Sequence, residues 1–217
     1  MTVAEENYLK TIYKLAEAEP DQDVSTNRIA AALATRAASV TDMLRRLAEK
    51  ELLRYEKYRG VQLTVEGRRL ALLTVRKHRL WEVFLVQQLG FNWDEVHEVA
   101  EELEHVQSAL LMRRLDEFLN FPTFDPHGDP IPAEDGAMRR PAHRLLADLE
   151  VGEGGILAAV KDTSVPFLQY LDKVGLPLGA QLKVLDRVAF DSSLEVRINR
   201  DRTVLISAEV GRNLFIT

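Results

Sequence analysis

The chain has 217 residues, 46% of them hydrophobic and 29% charged, with a formal net charge of -6. That balance belongs to a folded globular protein and excludes a disordered tail. Zero cysteines exclude disulfides, thiolate zinc sites, iron-sulfur clusters and thiol nucleophiles together, so any metal must use imidazole, carboxylate or carbonyl ligands. No run approaches the ~18 apolar residues of a membrane helix, and the acidic start Met1-Thr2-Val3-Ala4-Glu5-Glu6 lacks a signal-peptide pattern, so a cytoplasmic protein without membrane contact is expected. The charge is unevenly spread: residues 36–79 hold twelve Lys/Arg against five Asp/Glu, a local excess of seven positive charges, while the remainder carries thirteen net negative ones. One segment that meets a polyanion would explain this; the alternative is a solvated basic helix face.

In chain order, Tyr8, Ile12 and Leu15 share a helical face, and Pro20 closes that first helix. Ser25 caps a short second helix through Leu33, Ala34-Thr35 turns, and a third helix runs from about Ala37 to Lys50 with Val40, Leu44 and Leu47 inward. Two short helices joined by a tight turn match helix-turn-helix geometry. Leu53-Arg54-Tyr55-Glu56-Lys57 and Val61-Gln62-Leu63-Thr64 flank Tyr58-Arg59-Gly60 as a hairpin, which completes a winged helix over residues 1–64. Arg36, Ala38, Ser39, Thr41 and Asp42 open the third helix, with side chains short enough for it to sit deep in a major groove. Arg45, Arg46, Lys57 and Arg59 would then face phosphates. A winged helix used for protein contact is the competing reading.

A long helix follows at about Val65 to Leu89, carrying His78 and Glu82 one turn apart. From Asn92 to His105 there are six acids and no Lys or Arg. On a helical wheel His97, Glu101, Glu104 and His105 fall within a stripe about 100° wide, bordering the apolar sector of Val96, Val99, Ala100, Leu103 and Val106. Stacked like charges repel, and a divalent cation reverses that cost, so the two helices could supply two metal sites; an exposed acidic helix is the alternative. The zincin and inverted-zincin motifs each fail by one residue, a single Glu102-x-x-His105 lacks the second copy a di-iron bundle needs, and no nucleophile elbow, P-loop or dinucleotide motif occurs, so no enzyme is expected.

Residues 121–132 hold four prolines and a glycine, which ends the helical half and a helical domain over 65–140. Beyond it, residues 141–217 carry β-rich runs at Gln181–Val188, Leu194–Ile198 and Thr203–Ile206 and one helix near Val165 to Val174 ended by Gly175, which reads as a small β-barrel. The expected fold class is therefore multidomain and mainly α, with a small β domain at the C-terminus.

Several runs carry a resemblance. Tyr8-Leu9-Lys10-Thr11-Ile12-Tyr13, Ser39-Val40-Thr41, Leu63-Thr64-Val65-Glu66-Gly67-Arg68, Lys77-His78-Arg79-Leu80-x-Glu82, Val96-His97-Glu98-x-Ala100-Glu101-x-x-Glu104-His105-Val106 and Pro126-His127-Gly128-Asp129-Pro130-Ile131-Pro132 resemble the DtxR/MntR family of metal-dependent transcriptional repressors. Leu171-Asp172-x-x-Gly175-Leu176-Pro177-Leu178-Gly179-Ala180 is similar to the SH3-like, FeoA-type domain of its longer members. The resemblance implies a homodimer that binds a palindromic double-stranded DNA operator when loaded with Mn(II) or Fe(II), and that represses metal-uptake genes. It implies two sites per subunit: Glu101, Glu104 and His105 with Asn7 from the first helix, and His78, Glu82 and His97, to which residues such as Asp162 or Gln169 of the C-terminal domain would add.

Three positions depart from the family pattern. Glu101 stands where iron-sensing members often have Cys, which makes Mn(II) the first expected effector and Fe(II) the second. Asn7 replaces Met or Asp. Lys10 replaces the Glu that two-domain manganese sensors use in a two-metal cluster, so the split arrangement of sites is expected instead. A metal-dependent enzyme or metal store using the same His/Glu stripe is the runner-up.

Overall fold

The computed structural model describes every residue except Asp21, 57–59, 139, 140 and Asp201, together with the side chain of Glu56. Its residues group into two compact units. The first comprises Met1–Trp81, Ala100–Phe121 and Ile131–Met138, and the second Glu82–Val99, Pro122–Pro130 and Arg139–Thr217.

In the first unit, α1 (Val3–Ala18) starts at a capping box in which the Thr2 hydroxyl accepts from Glu5 N and the Glu5 carboxylate accepts from Thr2 N. α2 (Thr26–Ala32) is capped by Ser25, and Ala34 turns the chain in the left-handed region (φ 48°) into α3 (Ala37–Glu49). The hairpin β1 (Leu53–Glu56) and β2 (Gly60–Leu63) pairs Leu53 with Leu63 and Tyr55 with Val61, and Val24 bridges to Val61 on the other side. Leu9, Ile12, Ile29, Val40, Leu44 and Leu47 are fully buried in one cluster. The anticipated winged helix is therefore present, with a core drawn from α1, α2, α3 and the hairpin.

α4 (Val65–Leu89) spans the predicted range, and α6 (Ala109–Phe118) is capped by Ser108. Arg76 of α4 donates to Asp116 (2.6 Å) and to the Pro132 carbonyl (2.7 Å), which fastens α6 and the 131–138 segment to α4. The sequence places His97 to His105 on one helical stripe; in the structure α5 (Val96–Leu103) ends earlier, and Glu104 and His105 lie in the turn that follows. Glu104 N still donates to the Ala100 carbonyl (2.9 Å), so the stripe continues for one more residue before the chain turns toward the Ser108 cap.

The second unit is built on an antiparallel sheet of six strands, β3 (Arg144–Leu145), β4 (Gly154–Val160), β5 (Gln181–Arg187), β6 (Leu194–Ile198), β7 (Arg202–Ile206) and β8 (Leu214–Ile216), in the order β3-β8-β4-β5-β6-β7. The sequence anticipates β5, β6 and β7 of this SH3-like fold. It misses β3, β4 and β8, and the sheet is open, with β3 and β7 at its edges. α7 (Val165–Val174) matches its predicted span and stops at Gly175, whose left-handed φ of 67° suits a residue without a Cβ. A short α8 (Ala208–Gly211) precedes β8. Leu157, Leu168, Leu171, Val184, Leu194, Val196 and Leu214 form the core, with Trp93 packed against it.

Candidate metal centres

In the first unit, a buried cluster forms where α1, α4 and the end of α5 converge. Glu104 is 1% exposed, and its Oε2 lies 2.6 Å from Lys10 Nζ and 2.7 Å from His78 Nδ1. Lys10 Nζ also reaches Glu101 Oε1 at 3.4 Å. Burial opposes ionisation of Glu104, but His78 and Lys10 beside it outweigh burial and hold its carboxyl below the usual carboxylate range. His105 Nδ1 lies 2.7 Å from Glu6 Oε2, while Gln107 donates to Glu6 Oε1 (2.8 Å) and Lys77 Nζ stands 3.6 Å from Oε2. A carboxylate only accepts, so His105 donates from Nδ1 and, as a metal ligand, would offer its Nε2 lone pair on the other side. That Nε2 faces Glu104 Oε1 at 3.7 Å, too long for a hydrogen bond. Oε1 is buried and has no hydrogen-bond partner among the described residues. A lone pair and an orphaned carboxylate oxygen facing each other are unfavourable without a cation between them, so these donors fit a hard divalent ion. Asn7 lines the cleft beside the cluster together with Lys10, Glu101 and His105.

A second cluster lies in the second unit. Glu82 from the C-terminal half of α4 and Asp125 and His127 from the proline-rich turn bring their ligand atoms within 4.8 Å of one another, all three residues buried. His127 Nε2 is 2.8 Å from the Trp93 carbonyl, and the Trp93 ring stacks on the imidazole. A carbonyl only accepts, so Nε2 donates, and Nδ1, whose lone pair would serve a metal, faces Glu82 Oε1 (3.9 Å) and Asp125 Oδ1 (4.0 Å). Those distances exceed a hydrogen bond and leave room for a cation. Asp125 Oδ1 accepts from His127 N (2.8 Å) and Asp129 N (2.9 Å), which fixes the carboxylate within its own turn. His97 adds its Nδ1 at 3.3 Å from Glu82 Oε1.

Of the residues named from the sequence and its resemblance, Glu101, Glu104 and His105 come together, His78 lies against Glu104, and Glu82 and His97 meet. Gln169 donates to Asp94 (2.9 Å), and Asp162 accepts from Ser164 N (2.8 Å). The sequence reading missed Glu6, Gln107, Asp125 and His127 and did not see that Lys10 enters the cluster. The i, i+4 spacing of Glu6 and Lys10 on α1 and the Asp-x-His spacing in the turn were the available signals.

Arg36, which precedes α3 at its N-cap, and Ala38, Ser39, Asp42, Arg45 and Arg46 on the helix are exposed. Thr41 is half-buried and returns its hydroxyl to the Ala37 carbonyl (3.0 Å), and Asp42 pairs with Arg45 at 3.5 Å. Lys57 and Arg59 lie outside the described residues.

Comparison with known proteins matches all three parts of the chain. Residues 1–61 match the iron dependent repressor N-terminal DNA binding domain, 64–133 the iron dependent repressor metal binding and dimerisation domain, and 144–217 the FeoA domain. The iron-dependent repressor IdeR of Mycobacterium leprae is 42% identical over 129 residues, 58% of this chain; the matched stretch spans about half of that relative (54%). The diphtheria toxin repressor of Corynebacterium glutamicum is 38% identical over 191 residues, 83% of each chain. The solved structure of a manganese-dependent transcriptional repressor in complex with manganese superposes with a TM-score of 0.86 at 38% identity, covering 98% of both chains. With its domains matched in order and a relative aligned over most of both lengths, this chain belongs to the iron-dependent repressor family.

Proposed function

We propose that this chain is a metal-activated, DNA-binding transcriptional repressor of metal-uptake genes, acting in the cytoplasm as a homodimer on a palindromic double-stranded operator and carrying no enzymatic activity. The observation that carries the reading is the double hold on α1. Glu5 Oε1 accepts from Lys50 Nζ (2.6 Å) at the end of α3, and the adjacent Glu6 accepts from His105 (2.7 Å) in the first cluster. Neighbouring carboxylates therefore tie one helix to the recognition helix and to the metal ligands. Glu101, Glu104 and His105, with Asn7 from α1, would hold one divalent ion. The ion would supply the two positive charges that neutralise the carboxylates of Glu101 and Glu104. With those carboxylates neutralised, Glu6 and Asn7 hold α1 against His105, and Glu5 carries that position to α3. By linkage, DNA must raise metal affinity by the factor by which metal raises DNA affinity.

Glu82, Asp125 and His127 would hold a second ion, with His97 beside Glu82; the set implied by the resemblance, His78, Glu82 and His97, shares Glu82 with it. The oxygen and nitrogen donors suit Mn(II) and Fe(II) over softer ions, and relatives named for iron and for manganese support these two effectors; Glu101 in place of a thiolate makes Mn(II) our first choice. On α3, Ala38, Ser39, Thr41 and Asp42 would read base edges, while Arg36, Arg45 and Arg46, with Lys57 and Arg59 of the wing, would face phosphates. The homodimer is supported by α6, which exposes Leu110, Leu111 and Phe118, and by a cavity of about 750 Å³ nearby, whose apolar wall includes Leu70, Leu73, Leu80 and Met112. Among the described residues no helix is long and apolar enough to cross a membrane.

Fluorescence anisotropy with duplexes selected from a random pool in Mn(II) tests the reading. Affinity should appear with Mn(II) or Fe(II), vanish with chelator and fall steeply with salt. Equal DNA affinity with and without metal would remove it, as would a metal-dependent enzyme or store that binds no duplex at all.

A further inference from the structure

Lys10 is 5% exposed, and a lysine that deep is kept there by its partners. Its ammonium touches two of the oxygen ligands assigned to the first ion, Glu104 Oε2 at 2.6 Å and Glu101 Oε1 at 3.4 Å. It leaves the remaining donors, Glu104 Oε1 and His105 Nε2, facing each other at 3.7 Å. We propose that Lys10 is a built-in competitor for the divalent ion at the Glu101, Glu104 and His105 cluster, setting the metal concentration at which the protein responds. The inference deepens the proposed function and rests on that cluster being a metal site.

The exchange follows from charge and coordination. The Lys10 ammonium neutralises part of the carboxylate charge but donates to Glu101 and Glu104 and not to His105; a divalent ion can take both carboxylates and the His105 lone pair together. A divalent ion and an ammonium a few ångströms apart repel strongly in a buried site, so the two alternate. Lys10 has somewhere to go: it lines a cleft of about 580 Å³ with Asn7, Thr11, Lys14, Glu101 and His105, and its four-carbon stem is flexible. When Lys10 withdraws, α1 stays tied to the cluster through Glu6 and His105, one turn away on the same face. The hold on α1 thus changes character as the ion enters, from the lysine pair to the metal ligands. An ammonium parked between the carboxylates also limits this cluster to one divalent ion.

The test titrates Mn(II) into the full chain against a fluorescent chelator, for the wild type, Lys10→Met, Lys10→Arg and Glu104→Ala, and records thermal midpoints with and without Mn(II). Lys10→Met should bind Mn(II) at least ~10-fold more tightly, because the competing charge is gone. Its metal-free midpoint should fall while its Mn(II)-loaded midpoint holds or rises, whereas a merely structural lysine would lower both. Lys10→Arg, which keeps the charge, should stay near wild-type affinity. If Lys10→Met does not fold without metal, Lys10→Gln gives the same reading with a polar head in the cavity. Unchanged or weaker Mn(II) affinity in a folded neutral variant, with one Mn(II) per subunit still lost in Glu104→Ala, overturns the role of Lys10 alone. Full wild-type Mn(II) stoichiometry and affinity in Glu104→Ala would instead overturn the metal site and this proposal together.

Discussion

The two clusters use the same chemistry on different supports. In each, one imidazole nitrogen is fixed by an acceptor and the other faces carboxylate oxygen at a distance that suits a shared cation. For His127 the acceptor is the Trp93 backbone carbonyl, and Asp125 is fixed by two backbone N–H groups of its own turn. For His105 the acceptor is the Glu6 side chain on α1, and the carboxylates are held by the long side chain of Lys10. Backbone holds ligands in place; side chains on a separate helix let them move. On the proposed reading the second cluster would be preorganised to keep an ion, and an ion in the first would reposition α1.

Glu104→Ala should break the comparison most completely, since it removes the carboxylate that both His105 and Lys10 face. Metal-dependent DNA binding should be abolished, read by anisotropy with and without Mn(II), while the second cluster still takes up an ion. His127→Ala should do the reverse: one fewer Mn(II) per subunit by equilibrium dialysis, with the first cluster intact. If His97→Ala loses that ion and His127→Ala does not, the second ion is held as the resemblance implied and the turn is only a support. Glu6→Gln is a milder change, weakening the acceptor that orients His105, and should cost about 10- to 100-fold in Mn(II) affinity. The corresponding second-cluster acceptor is backbone, which no substitution removes.

The smallest effect is expected at Lys50. Its ammonium, hydrogen-bonded to Glu5, and the Thr2 backbone N–H hold the Glu5 carboxyl below its usual 4.5. A depressed carboxylate stabilises the fold above its unfolded value, and that stability is lost as pH falls through the folded one. Thermal midpoints of the metal-free chain should therefore drop below about pH 4.5, and Lys50→Ala should flatten that drop. With Lys50 half exposed, the difference should stay under ~1 kcal/mol.

Much of the fold was legible because its signals are local. α4 and α7 were read at their observed bounds from apolar periodicity and, for α7, from a glycine stop. β4 was missed because Gly154-Gly155 and Ala158-Ala159 have low strand propensity, and β8 because three residues show no alternation. The His/Glu stripe ran past the end of α5 because nothing in the sequence between Glu104 and Gln107 breaks a helix; the turn there leads into the Ser108 cap.

By itself the sequence determined the order of the modules, the winged helix, the charge segregation and the stripe of His97, Glu101, Glu104 and His105. Such features are local, since residues three and four apart on a helix share a face; the choice of Glu101, Glu104 and His105 as a proposed ligand set came from the resemblance. Only the tertiary structure decided that His78 meets Glu104, that Asp125 and His127 join Glu82, and that Lys10 reaches a carboxylate 94 positions away. Such pairings depend on how helices and turns pack, and no local pattern encodes which of several buried carboxylates a given cation will find.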